Sequence, residues 1–199
     1  MAFAELSITS NFSFLTGASH PEEFARRAAE LGLEAIAVAD RNSVAGVVRA
    51  HQALKEIARG AEARLRETER RDPRDTPSPS APRIAGLGDD GAPILSAPRL
   101  IPAARIALES GESFTALPTD RAAWGRLTRL LTLGKRRAQK GRCALHEADL
   151  IAHAEGMILL LHPGDPLAGE DPRAAHWARA LPGQIRLLAA WLKAGARVP

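Results

Sequence analysis

Residues 3–51, FAELSITSNFSFLTGASHPEEFARRAAELGLEAIAVADRNSVAGVVRAH, decide the fold. Residues 4–9 are short and apolar or β-branched, the composition of a buried strand. Residues 11–17 carry the chain over the end of that strand. Ser19 and Glu22 have the three-residue spacing of a capping box, with Pro21 in the first turn, where its missing N–H costs little. Phe24, Ala28 and Leu31, with Ala25 and Ala29, recur at helical spacing, and Gly32 is placed to end that helix. Residues 35–39 are apolar without alternation, as in a strand covered on both faces. Asp40 follows at the carboxyl end of this strand, where α/β proteins keep their chemistry. The stretch is a βαβ unit running into a second helix.

That second helix is expected from Ser43, with Val47, Val48, Ala50, His51, Leu54, Ile57 and Ala58 forming one apolar stripe. Beyond Gly60 the stripe dissolves into AEARLRETERRDPRD, which either extends the helix into solvent or stays disordered. Residues 76–99, rich in Pro, Ser and Gly, read as a flexible linker, because they bury too little to offset chain entropy. The expected organisation is therefore 1–60, a charged and then Pro/Ser/Gly-rich interval at 61–99, and 100–199.

Order returns with ARIAL, the turn ESGE around Ser110 and Gly111, and SFTALP, a hairpin signature. Thr119 is placed to cap a helix carrying Ala123, Leu127, Leu130, Leu131 and Leu133, with Gly134 at its end. Residues 147–154 predict a short helix and residues 157–161 a buried strand ending at His162. A helix over 171–181, a strand over 184–188 and a last helix from 189 complete the pattern.

The chain has 199 residues, 45% of them apolar and 25% charged, which suits a single soluble domain with a sizeable core. No apolar run approaches the roughly 20 residues that span a bilayer, and no signal peptide pattern opens the chain. One cysteine, Cys143, excludes an intrachain disulfide and fits a reducing compartment, so a cytoplasmic location and no membrane partner are expected. The net charge of +4 permits nucleic-acid contact without establishing it. The cluster Lys135, Arg136, Arg137, Lys140 and Arg142 has two readings, a phosphate-contacting patch or a solvated positive helix end set against the dipole. Without interleaved aromatic residues for base stacking, the second is favoured.

Four stretches in fixed order carry a family resemblance: SNFSFLTGASHPEEF at 10–24, AVADRNSVAGVVRAH at 37–51, LPTDRAAWGRLTRLLTLGKRRAQKG at 117–141 and ADLIAHAEG at 148–156. Together they resemble the polymerase-and-histidinol-phosphatase (PHP) domain that opens bacterial C-family DNA polymerases, in particular the error-prone, damage-inducible alpha subunit. The resemblance implies an α/β fold, part of a distorted, mostly parallel TIM-like (β/α) barrel. It also implies a role in damage-induced, lesion-bypassing DNA synthesis, whose nucleotidyl transfer depends on a palm domain that a chain of this length does not contain.

Members of this family that bind metal hold divalent ions at strand ends through His and carboxylate ligands, which activate water for phosphoester hydrolysis. The first family signature, Leu-His-X-His-Ser, reads here Leu6, Ser7, Ile8, Thr9, Ser10. Thr16 stands before Gly17 where an acidic residue is common, and Arg41 follows Asp40 where the family has His. Ser7, Thr9 and Thr16 are thus degenerate ligand positions, and Asp40 with Arg41 is the remnant of the strand-end motif. No catalytic residue, metal site or cofactor is expected.

Three readings stay open. One is a non-catalytic PHP scaffold, partnered by the remaining polymerase domains if these are encoded separately. The second is a phosphoesterase with an unusual ligand set such as Asp40, His162 and His176. The third is a small basic module that contacts DNA or a repair protein. His20, His51, His146, His153 and His176 are scattered without ligand spacing and read as surface or helix-face residues.

Overall fold

The computed structural model describes residues 3–70, 95–162 and 172–187. The chain divides into two units, Met1–Val38 with Ala45–Ile101, and Ala39–Val44 with Pro102–Pro199.

The first unit contains β1 (Ala4–Ile8), α1 (Pro21–Glu30), β2 (Ala35–Val38), α2 (Ala45–Arg70) and β3 (Arg99–Pro102). Its sheet has the order β1-β2-β3, and β1 runs parallel to β2 with Ala4 opposite Ala35 and Ile8 opposite Val38. All four residues of β2 are buried, as its unalternating sequence requires. Ala25, Ala28, Ile36 and Leu54 form the core, joined by Ile8, Leu33, Ile57 and Leu100. The small side chains on α1 let that helix lie close to its neighbours.

Proline decides where α1 starts. The residue before a proline is pushed to extended backbone, so with Pro21 as the first helical residue the cap falls on His20, at φ −71 and ψ 150. Glu23, not Glu22, then reaches back, its Oε2 accepting from the His20 N–H at 2.9 Å. The capping pair is one residue later than the Ser19 and Glu22 expected from spacing. Glu22 instead pairs with Arg49 Nε at 2.5 Å, tying α1 to α2.

Helix α2 starts at Ala45 rather than Ser43 and continues to Arg70, so the charged run after Gly60 extends the helix. Its (i, i+4) pair Glu62–Arg66 is of the kind that supports an exposed helix. Residues 71–94, the end of the charged run and the greater part of the Pro/Ser/Gly interval, lie outside the described residues, as do the expected helix from 189 and the chain after it. Strand β3 emerges where a linker was expected to end, with the Arg99 N–H donating to the Glu34 carbonyl at 2.9 Å.

The second unit contains β4 (Ala104–Ala107), β5 (Ser113–Pro118), α3 (Arg121–Arg137), α4 (Glu147–His153), β6 (Met157–Leu161), α5 (Pro172–Ala180) and β7 (Ile185–Leu187). The sheet order is β4-β5-β6-β7; the first two pairings are antiparallel and β6–β7 is parallel. Mostly parallel pairing therefore does not hold in this sheet: a hairpin joins β4 to β5, and β6 returns antiparallel to β5 after the helix pair α3 and α4. Phe114, Leu127, Leu130, Leu150, Leu159 and Trp177 lie in one core, and the Phe114 and Trp177 rings meet edge to face at 4.8 Å.

The cap of α3 is Asp120, whose Oδ1 accepts from the Ala123 N–H at 2.7 Å; the expected cap, Thr119, donates to the Gly156 carbonyl instead. Gly134 lies inside α3 rather than ending it. Its reason is close approach: a Cβ there would stand 2.6 Å from both Cys143 Sγ and Leu145 Cδ2. His162 closes β6, its N–H donating to the Ser113 carbonyl and its Nε2 lying 2.9 Å from Thr115 Oγ1. Burial, aided by the charge of Arg105, lowers the His162 pKa to about 4.

Two outcomes follow. Gly134→Ala should destabilise the chain by up to about 2 kcal/mol in urea unfolding, because overpacking costs about 1–3 kcal/mol against roughly 1 kcal/mol of regained helix propensity. A neutral or stabilising result would mean that Leu145 yields freely. His162 is held neutral in the fold, so between about pH 6.5 and 4 the unfolded chain binds the extra proton and stability rises with pH. The difference in unfolding free energy between pH 7 and pH 5 should therefore be smaller in His162→Gln than in the parent chain, and equal differences would contradict the assignment.

Candidate functional site

The residues singled out from the sequence fall in both units, and each group is described in its own unit. In the first, Ser7 lies on β1 and Thr9 just after it, both half-buried. The loop that follows is held by its own backbone: the Ser13 N–H donates to Ser10 O, and the Thr16 and Gly17 N–H groups donate to Ser13 O. Ser10 and Ser13 are buried inside this loop. The exposed Thr16 turns its hydroxyl inward, donating to the Ser13 carbonyl at 2.8 Å. Gly17 is required here, since a Cβ would stand 2.0 Å from the Ser10 carbonyl oxygen. Between α1 and α2 lies a groove of about 420 Å³ lined by Glu22, Arg26, Arg49 and Glu56 among others. Glu22 and Arg49 pair with each other there, and a backbone hydrogen bond, working against burial and joined by the bond to Arg49, lowers the Glu22 pKa.

In the second unit, residues 39–44 lie along β4. The Arg105 N–H donates to the Asp40 carbonyl at 3.0 Å, and the Asn42 N–H donates to the Arg105 carbonyl at 2.7 Å. Arg41 is thereby placed opposite Arg105 in a parallel bridge. Asn42 adopts a left-handed backbone, φ 47, and its side-chain amide continues the ladder, accepting from the Ala107 N–H at 2.9 Å and donating to the Ala107 carbonyl. Asp40 is buried and Arg41 exposed.

Arg105 escaped the sequence reading. Its signal was the alternation in ARIA, which places Ala104 and Ile106 on the core face and Arg105 on the other. The guanidinium is half-buried and Nη2 donates to Ser113 Oγ at 3.2 Å. Burial and the neighbouring charge of Arg41 both lower its pKa.

The basic cluster divides. Lys135, Arg136, Lys140 and Arg142 are exposed around the end of α3. Arg137 forks onto Asp149, with Nη1 to Oδ2 at 2.5 Å and Nη2 to Oδ1 at 3.0 Å, joining α3 to α4. That pairing holds the Asp149 carboxyl at a pKa of about 2. Arg137 is therefore committed to the fold.

The alternative ligand set of Asp40, His162 and His176 is not brought together. His162 meets Thr115, while His176 Nε2 lies 2.8 Å from Glu147 Oε1 with its ring edge-on to Trp177. Among the described residues no group of three or more His, Cys, Asp or Glu is gathered as a metal site. His146 caps α4 and His153 Nδ1 lies 2.9 Å from the Asp149 carbonyl, so both serve the local helix. Among the described residues no helix is long and apolar enough to cross a membrane.

Comparison with known proteins bears on this geometry. The family model of the PHP domain matches residues 5–194. An error-prone DNA polymerase of Ruegeria pomeroyi is 48% identical over 100% of this chain, which covers 19% of that protein. Error-prone polymerases of Rhodopseudomonas palustris BisB5 and Agrobacterium fabrum are each 40% identical over 81% and 83% of the chain, which covers 12% of either. The chain thus spans a fifth or less of the length of these relatives. A solved structure described as a putative metal-dependent phosphoesterase from Bifidobacterium adolescentis shares the fold, with a TM-score of 0.53 at 12% identity over 89% of this chain and 74% of its own. Its agreement in architecture supports the partial TIM-like barrel that the resemblance implied. The chain belongs to the PHP domain family.

Proposed function

We propose that this chain is a non-catalytic PHP scaffold of an error-prone DNA polymerase engaged in damage-induced translesion synthesis. The observation that carries the reading is the donor set at the family's ligand positions: hydroxyls at Ser7, Thr9 and Thr16, and a guanidinium at Arg41. Hydroxyls offer a divalent ion neither the charge nor the basicity of imidazole and carboxylate, and a guanidinium offers it no lone pair and a like charge. The residues present do not fit the metal centre that the family's hydrolases use, so no hydrolytic step is assigned to it. Similarity to polymerases five or more times longer supports a role for this segment as one part of a larger enzyme, with the remaining polymerase domains as its partners.

A scaffold contributes stability rather than chemistry. Purified chain, passed through gel filtration in buffer containing Mn²⁺, should carry no stoichiometric Mn or Zn and should leave bis-p-nitrophenyl phosphate intact; stoichiometric metal with hydrolysis would overturn the reading. In a polymerase carrying this segment, Gly134→Ala should lower the temperature of half-inactivation without changing the extension rate at 25 °C. An unchanged temperature would separate this segment from the polymerase's stability.

A further inference from the structure

We infer that the outward face of α3 is a binding surface for the sugar-phosphate backbone of a nucleic-acid duplex. Positive charge in this chain is gathered on one segment. Residues 121–142 hold eight of its 27 Lys and Arg and none of its 23 Asp and Glu, so elsewhere carboxylates outnumber cations. Ala123, Leu127, Leu130 and Leu131 turn one side of α3 into the core. At about 3.6 residues per turn the opposite side carries Arg121, Gly125, Arg129, Thr132 and Arg136 in one line. These three arginines are exposed, as are Lys135 beside them and Lys140 and Arg142 beyond the helix end. Two of the eight cations serve the fold. Arg126 donates to the Glu155 carbonyl at 2.8 Å and pairs with its carboxylate, and Arg137 forks onto Asp149. The other six have no ion pair and no side-chain hydrogen bond among the described residues.

A positive helix end set against the dipole accounts for Lys135 and Arg136, which lie in the last turn. It does not account for the others. Arg121 is the first residue of the helix, where the dipole disfavours a cation, and Arg129 stands in the middle. Gly125 is a separate observation pointing the same way. Glycine inside a helix costs roughly 1 kcal/mol against alanine, and no packing demands it here, since a Cβ would meet nothing within 4 Å. It leaves bare helix between Arg121 and Arg129, where an extended partner can approach the backbone closely. Arg129 and Arg136 are two turns apart, about 10 Å along the axis, which is the rise of roughly three phosphates on one strand of a duplex. Planar guanidinium groups match phosphate oxygens in bidentate fashion. The aromatic residue of α3, Trp124, packs against the core. Bases would find no ring to stack on along this face, so the backbone of a duplex fits it better than a single strand. The surface stands whether or not the scaffold reading holds.

Fluorescence anisotropy of a short labelled DNA duplex with the full chain, measured across a salt series, tests it. Log K against log salt should fall with a slope of about −3 or steeper, as three or more phosphates are neutralised. Arg129→Gln and Arg136→Gln should each bring that slope about one unit nearer zero. Combined with Arg121→Gln they should weaken binding by about tenfold or more. Arg59→Gln, an equal loss of charge at an exposed site on α2, should leave affinity and slope unchanged. Gly125→Glu should weaken binding while raising the melting temperature, because it exchanges a poor helix former for a good one; this separates loss of the surface from loss of the fold. Absent binding at low salt, equal losses in Arg59→Gln and Arg129→Gln, or tighter binding of a single strand of the same length would overturn the proposal. So would displacement of the duplex by polyglutamate at equal charge concentration, which would assign the face to an acidic protein.

Discussion

The second unit's polar face depends on the short ladder that ties residues 40–42 to β4. An extended segment is held on a sheet edge by a ladder of backbone bonds. Here two come from the main chain, through Asp40 O and the Asn42 N–H. The third place is taken by the Asn42 side chain, whose amide copies a peptide group and both accepts from and donates to Ala107. Asparagine tolerates the left-handed backbone found at position 42, so it can end the extended run while its side chain prolongs the pairing. Without that amide the ladder would stop at Arg105, and the register placing one arginine across from another would loosen.

The same asparagine shows where reading a sequence stops. In residues 37–51 the strand, its buried character and the carboxylate at its end were all legible, because burial on both faces leaves an unalternating apolar run. Pairing of the next few residues with a hairpin more than sixty positions away was not, since nothing local encodes a side chain standing in for backbone. Arg105 was hidden for a related reason. A four-residue strand holds two in-and-out alternations, which show that Arg105 leaves the core but not what lies across from it.

Helix ends illustrate a different limit. Ser19 with Glu22 and His20 with Glu23 both satisfy the capping spacing, and the choice between them rests on Pro21. Its steric demand on the preceding residue fixes the cap, a rule that outweighs the usual preference for serine. Gly134 misled in the opposite direction. A glycine after an apolar stripe normally signals a left-handed helix end, whereas this one admits the buried Leu145 and half-buried Cys143 against the helix. Its purpose is visible only once the tertiary neighbour is known.

An arginine after the strand-end aspartate has a consequence that hydroxyl substitutions alone would lack. Serine and threonine merely withdraw ligands, and a site that loses ligands can still be rescued by water or by a neighbouring carboxylate. A fixed positive charge is different in kind. At an effective dielectric of about 20, a unit charge roughly 4 Å from a divalent ion costs on the order of 8 kcal/mol, more than several weak ligands return. Arg41 therefore brings a positive charge to the end of that strand, and Arg105 stands across the bridge from it.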